Sequence, residues 1–435
     1  MQFNRTHNIE DIKSDMKGQE VIIGGWIEDL RKLGKMTFLT VRDVTGLAQV
    51  IVKEESSKNI EGVTRQSVIR VQGKVQETKA RDFEWEIKAD QIEVLANAKH
   101  PLPIDPIGRL ESNIDNRLNA RALDMRNQRT ASIFKIRHHV LAAIRKTFSE
   151  KKFIEINTPK LIGSASEGGA NLFSLDYFGK QAYLAQSPQL YKEQMTIGLE
   201  RVYEIASFFR AEKSHTGRHL SEFTSVDIEA AFMDYTDVME ILESLVVEVY
   251  KYISEKCKEE QKTLGITIKV PPSPFERITY SEILKELNDE GEKLEFGDDL
   301  LDSHLRIVGK KHPGFFFITD WPMKLKPFYI REKEEEPTIS RSFDLQFGYL
   351  ELSSGGTRLH DPEKIKLRLK EQGLDPTKFG SDVISAEIHL GTEHGSDTSF
   401  PYPGGPETQS VLYHELQHAI CGCNWHPEIA HDFIN

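Results

Sequence analysis

The chain has 435 residues, 38% of them hydrophobic and 9% aromatic, enough to bury more than one core. Its formal charge of −12 argues against a protein that coats nucleic acid through bulk electrostatics, yet residues 1–105 hold 16 Lys+Arg against 17 Asp+Glu, leaving the other 330 residues with −11. The near-neutral first hundred residues are therefore the part expected to face a polyanion.

Cys257, Cys421 and Cys423 are too few for a disulfide framework and fit a reducing compartment. No apolar run follows the first charges and no stretch of 18 apolar residues occurs, so the expectation is a cytoplasmic protein with neither signal peptide nor membrane contact.

Between residues 21 and 95, "EVIIGGWIEDL", "MTFLTVRD", "LAQVIV", "SVIRVQGKV" and "EWEIKADQIEVL" alternate with period two and are separated by Gly and charged turns. They predict five strands, closed into a small barrel of the oligonucleotide-binding (OB) type or forming another five-stranded sheet. After the Pro-rich "HPLPIDP", Ile133, Ile136, Val140, Leu141, Ile144 and Phe148 recur at helical spacing. This places a first domain over 1–105, a linker over 106–130 and a second domain over 131–435. Strand candidates at 201–210, 223–232 and 343–353 mix irregularly with amphipathic helices at 236–257 and 362–372, an α+β pattern.

Chemistry-bearing residues gather in four places. In "FFRAEKSHTGRHLSEFTSVDIE", two antiparallel strands would put Arg210 with Glu212 on one face and Phe223, Ser225, Asp227 and Glu229 together on theirs. Such a face either meets water or holds a polar ligand, with Arg gripping phosphate beside a Phe that stacks a base. In "SFDLQFGYLELSSGGTR", a turn at Phe347-Gly348 would make Asp344 and Glu351 direct cross-strand neighbours. Like charges so placed either tolerate their repulsion on an exposed surface or share a cation, for which Mg²⁺ with nucleotide phosphates is the natural occupant. Arg358 follows as a fixed fork for a carboxylate. Upstream, "AQSPQLYKEQM" offers Ser187, Gln189 and Lys192, and the Gly-rich "SASEGGANLF" fits either a mobile flap or a plain loop.

Taken in this order, "QSPQLYK", "FRAE…RHLSEF" and "ELSSGGTR" resemble the class II aminoacyl-tRNA synthetases, and closely the aspartyl-tRNA synthetases of archaeal and eukaryotic type. The resemblance runs from about residue 15 to 375. It implies an N-terminal OB-fold barrel that binds the anticodon and a catalytic domain built on a six- to seven-stranded antiparallel sheet flanked by helices. It implies ATP and Mg²⁺ as cofactors, L-aspartate and tRNA(Asp) as substrates, and a homodimer with Pro159 of "FIEINTPKL" at its interface.

Carried over residue by residue, the resemblance gives Arg210 to the α-phosphate of ATP, Glu212 and Phe223 to the adenine and His219 to the γ-phosphate. It gives Asp344 and Glu351 to Mg²⁺, with Ser354 beside them. Lys192 and Arg358 would hold the aspartate side chain, and Ser187, Gln189, Asp227 and Glu167 its amino end. In the barrel Phe38 would stack on an anticodon base, with Arg31 and Gln49 as polar readers. Lys192 favours aspartate over asparagine, because a buried cation would otherwise face a neutral amide. Asparaginyl-tRNA synthetase is the alternative within the class.

Residues 381–435 depart from the family. They contain no Lys or Arg, six of the 15 histidines and two of the three cysteines, and nothing there resembles the family's third motif, whose Arg grips the γ-phosphate. A shifted reading frame, a diverged paralogue that binds tRNA without charging it, and a tail with a new function such as zinc binding are the three accounts. His414, Glu415 and His418 form H-E-x-x-H, the pattern of a zinc peptidase, but Cys421 and Asn424 stand where its extended form needs glycine and a third histidine.

Overall fold

The computed structural model describes residues 4–163, 172–211, 220–374 and 376. The chain divides into two compact units, Met1–Asn127 and Gln128–Asn435.

In the first unit the five alternating runs become β1 (Glu20–Leu33), β2 (Met36–Arg42), β3 (Leu47–Lys53), β4 (Val68–Glu77) and β5 (Trp85–Ala96), closed in the order β1-β2-β3-β5-β4. Most inward positions are β-branched or Leu, among them Ile23, Leu39, Val50, Val71 and Ile87; burying each such side chain contributes about 1.5–3 kcal/mol. Closure brings backbones together so tightly at two places that only glycine fits. A Cβ on Gly25 would lie 2.5 Å from the Arg42 carbonyl oxygen, and one on Gly73 would lie 2.2 Å from that of Lys88.

The second unit starts with α1 (Gln128–Glu150), whose Ile136, Val140, Ile144 and Phe148 are buried as their spacing requires. Short strands β6 (Ile154–Glu155), β7 (Leu161–Ile162), β8 (Ser174–Tyr177) and β9 (Lys180–Leu184) precede α2 (Gln189–Leu199). Next come β10 (Arg201–Phe209), β11 (Glu222–Ala230) and α3 (Tyr235–Lys256). Then follow β12 (Glu276–Thr279), α4 (Tyr280–Asp289), α5 (Asp302–Lys311), β13 (Phe315–Thr319), β14 (Ser342–Phe347), β15 (Leu350–Gly356) and α6 (Pro362–Glu371).

Among the described residues the sheets are three-stranded (β11-β10-β6), four-stranded (β12-β13-β14-β15) and three-stranded (β7-β9-β8), so the fold is α+β. Their pairings are antiparallel except that β6 pairs with β10, and β12 with β13, in parallel. In β13 alternation splits the strand between two cores. Phe315 and Phe317 join α1, α3, Phe343 and Leu345, while Phe316 and Ile318 pack against Ile283 and Leu287 of α4 and Val308 of α5.

The β14–β15 hairpin corrects the register expected from sequence. Its loop is Gly348-Tyr349, with Gly348 at φ +54°, so Phe347 faces Leu350 and Gln346 faces Glu351. A bulge then shifts the pairing, and Asp344 faces Ser354 rather than Glu351. The bulge absorbs Leu352 as the extra residue. It keeps Leu350 and Leu352 in the core while turning Glu351 and Ser354 to the face that carries Asp344 and Gln346.

Candidate active site

Eleven-residue α2 would normally bury an apolar stripe, yet the residues it buries are Gln189, Lys192 and Thr196 at i, i+3 and i+7. Facing them is the polar side of β11. There Phe223, Ser225, Asp227 and Glu229 pair with Phe208, Ala206, Glu204 and Val202 and are all buried, so the water-facing reading of this strand is excluded.

Ion pairs make that burial tolerable. Lys192 Nζ, 1% exposed, lies 3.2 Å from Asp227 Oδ1 and 3.4 Å from Glu229 Oε2. Arg358 donates from Nε and a terminal nitrogen to the two oxygens of Glu229 at 3.1 and 3.2 Å, a bidentate pair. Burial works against that cation, but Glu229 and Glu193 hold its pKa above the ordinary range. Across the strand pair, Glu204 opposes Asp227 directly and has its own partners, Lys160 Nζ at 2.7 Å and the Thr158 hydroxyl at 2.7 Å.

Backbone contacts hold Arg358 in place. Its residue bridges to Ile330, Arg331 N–H donates to the Thr357 carbonyl at 2.8 Å, and Asp234, the N-cap of α3, binds Arg341 and the Thr357 hydroxyl. The Tyr329 ring covers the guanidinium at 5.0 Å.

The sequence reading thus meets its structure at Lys192, Asp227 and Arg358, with Ser187 and Gln189 buried beside them at the start of α2. Gln189 Oε1 is buried with no hydrogen-bond partner among the described residues, an acceptor suited to an ammonium group. Sequence reasoning left out Glu193, whose carboxylate accepts from the Gln189 amide and lies 3.4 Å from Arg358 Nε. It also left Glu229 without a role. The signal for Glu193 was its position four residues after Gln189 on one helix face.

Next to this pocket, Arg210 lies over the Phe223 ring at 5.1 Å, so the expected cation and aromatic plate are together. The third group is the β14–β15 face with Asp344, Gln346, Glu351 and Ser354. Asp344 is 5% exposed, and burial raises its pKa against the pull of Lys326, whose Nζ is 3.0 and 3.2 Å from its two oxygens. Lys326 is a second residue that sequence reasoning missed.

Glu351 is exposed and Ser354 half-buried. Gln346 Oε1 is a buried oxygen without a hydrogen-bond partner among the described residues. An all-oxygen donor set with two carboxylates is what Mg²⁺ takes beside phosphate, so these residues fit that ion. Glu167, Glu212, His219 and the H-E-x-x-H tail lie outside the described residues.

On the barrel, Arg31 and Phe38 are direct cross-strand partners, Gln49 pairs with Thr40 two residues along, and all three lie on the outward face. Gln49 Nε2 donates to the buried Glu86 at 2.6 Å, which fixes the amide. Arg31 is exposed and contacts Asp29 at 3.2 Å.

A closed five-stranded barrel followed by a sheet-borne pocket of buried cations and carboxylates defines a class. Residues 113–389 match the family described as tRNA synthetases class II (D, K and N), and residues 21–95 match the OB-fold nucleic acid binding domain. The chain belongs to the class II tRNA synthetases.

It is 43% identical over 394 residues to the aspartate–tRNA(Asp/Asn) ligase of Methanothermobacter thermautotrophicus, covering 89% of this chain and 90% of that protein. It is also 43% identical to the enzyme of the same name from Methanocaldococcus jannaschii, over 87% of this chain and 88% of that one. Among solved structures it resembles asparaginyl-tRNA synthetase from Pyrococcus horikoshii complexed with asparaginyl-adenylate. That match has a TM-score of 0.87 and 28% identity, and covers 100% of this chain and 98% of that one. A second is aspartyl tRNA synthetase from Entamoeba histolytica, with a TM-score of 0.79 and 26% identity over 96% and 89% of the two chains. Among the described residues no helix is long and apolar enough to cross a membrane.

Proposed function

We propose that the chain is an aspartate–tRNA ligase, which joins L-aspartate to ATP as aspartyl-adenylate and passes the aspartyl group to the 3′ end of tRNA(Asp). The observation that carries this reading is the buried pair of cations, Lys192 and Arg358, converging on one pocket beside the unpartnered Gln189 oxygen. A side-chain carboxylate is attracted to the cations, which the pocket's own carboxylates already pair, and an α-ammonium is accepted by the Gln189 oxygen beside Ser187 and Asp227.

In the first step an oxygen of the aspartate α-carboxylate bonds to the α-phosphorus of ATP and pyrophosphate leaves. Arg210 stabilises charge that grows on the α-phosphate oxygens, held against Phe223 so that little reorganisation is needed. No general base is required, because the attacking carboxylate is already ionised. Asp344 and Glu351, with Ser354, would hold Mg²⁺, which when bound supplies electrostatic stabilisation of the phosphates. In the second step the terminal ribose hydroxyl bonds to the aspartyl carbonyl carbon and AMP leaves. The barrel contributes Phe38 as a stacking plate and Arg31 and Gln49 as polar readers of the anticodon.

Glu212 and His219 for ATP, and Glu167 for the amino end of aspartate, belong to the same proposal, as do residues 106–130 as the linker between the two domains. Pro159 is exposed on a loop whose neighbours Thr158 and Lys160 are both tied to Glu204, which suits a rigid homodimer contact. A cytoplasmic location goes with this activity.

Charging assays with tRNA(Asp) and tRNA(Asn), each with aspartate and with asparagine, test the reading. Aspartate transferred to tRNA(Asp), with Phe38→Ala raising KM for tRNA about tenfold through the loss of one stacked base, is the expected result. Asparagine transferred in its place would make the chain an asparaginyl-tRNA synthetase.

A further inference from the structure

Among the described residues the charges in the amino-acid pocket do not balance. Lys192 and Arg358 supply two cations, while Asp227, Glu229 and Glu193 supply three carboxylates. Glu229 accepts from Nε and one terminal nitrogen of the guanidinium, and Lys192 reaches Asp227 and Glu229. Glu193 is the carboxylate left over: it lies 3.4 Å from Arg358 Nε, accepts from the Gln189 amide, and with 14% exposure is the most open of the three.

On the aspartate reading above, the substrate brings one more net negative charge to the same two cations. A fourth carboxylate in a site this dry is costly unless one of the four is neutral. The three original carboxylates are not equal in this respect, since Asp227 and Glu229 are fully buried and directly paired.

We propose that Glu193 determines the amino-acid specificity of this pocket: it binds a proton when aspartate enters, and the neutral acid donates its O–H to the substrate's side-chain carboxylate. The proton comes from solvent, and no other bond changes. Ionised, Glu193 is an acceptor only and matches the N–H₂ of asparagine instead.

The electrostatic surroundings favour this assignment. Burial first, and Glu229 with it, raise the Glu193 pKa to about 7 against the lowering influence of Arg358, the Gln189 hydrogen bond and Lys192. Among the described residues those are the charged groups that face it. Lys192 comes from its own helix, Glu229 from β11 with Asp227 on the far side of Lys192, and Arg358 from the segment after β15. Tyr329, over the guanidinium, adds no charge. A group poised at about 7 is ionised in part at neutral pH, and a bound anion raises its pKa further. Aspartate affinity is therefore highest below pH 7 and falls as pH rises, by about tenfold per unit.

Calorimetric titration of the full chain with L-aspartate and L-asparagine, at pH 6.0 and 8.5 and in buffers of different ionisation enthalpy, tests this. Expected are uptake of close to one proton per aspartate at pH 8.5, an aspartate Kd about 30-fold weaker there than at pH 6.0, and no proton uptake with asparagine. Glu193→Gln should bind aspartate with neither the uptake nor the pH dependence. Aspartate binding by the wild type without proton uptake at pH 8.5, or an unchanged pH profile in Glu193→Gln, overturns the role of Glu193 while leaving the aspartate reading intact. Absence of aspartate binding at both pH values overturns both.

Discussion

Arg358 and Glu229 show how a single pair fixes this site. Both are buried, and each satisfies the other through two parallel hydrogen bonds. Removing one partner strands a charge, so Arg358→Gln should destabilise the chain by about 3–5 kcal/mol. Adding Glu229→Gln should recover more than half of that loss, because the stranded charge goes too. Denaturant unfolding of the two variants checks both figures, and an additive double variant would contradict the coupling. At this scale the family resemblance named Lys192, Asp227 and Arg358, and the structure brings the three together in one buried cluster. Glu193 and Lys326 were left out, because their ion-pair partners Arg358 and Asp344 lie elsewhere along the chain, and only the i+4 spacing of Glu193 from Gln189 was a local signal.

The elements were readable for a different reason. Period-two runs in the barrel and the 3.6-residue period of α1 both follow from which side chains must be buried, so their bounds agree with the structure to within a few residues. The hairpin register was not readable, since its bulge at Leu352 is set by the core beneath it and not by the turn. The loop itself is held by α5. A Cβ on Gly309 would lie 2.5 Å from the backbone of Gly348 and Tyr349. Gly309→Ala should therefore push the hairpin away and cost about 1–3 kcal/mol. It should also raise KM for ATP more than KM for aspartate, because Asp344 and Glu351 ride on that hairpin while Lys192 does not. Thermal unfolding together with the two KM values decides this, and equal KM changes would mean that the hairpin does not position the phosphate side.

At the scale of the whole molecule, two units with separate cores divide the work: an outward barrel face with an aromatic plate, and a sheet-borne pocket with matched cations. Composition pointed to this division through the near-neutral first hundred residues, and the family match covers each unit by its own description. The abrupt composition of residues 381–435 lies outside the described residues, so its three accounts rest on sequence alone. The pocket, with its buried cations, makes a sharper claim: it activates aspartate. Aspartate-dependent exchange of pyrophosphate into ATP measures that activation without tRNA. Exchange with aspartate at least a hundredfold faster than with asparagine near pH 6.5 is the expected outcome for a site built on Lys192 and Arg358, since a missing partner for a buried charge is worth about 3 kcal/mol or more. Exchange with asparagine at an equal or greater rate, or none with either amino acid, would contradict it.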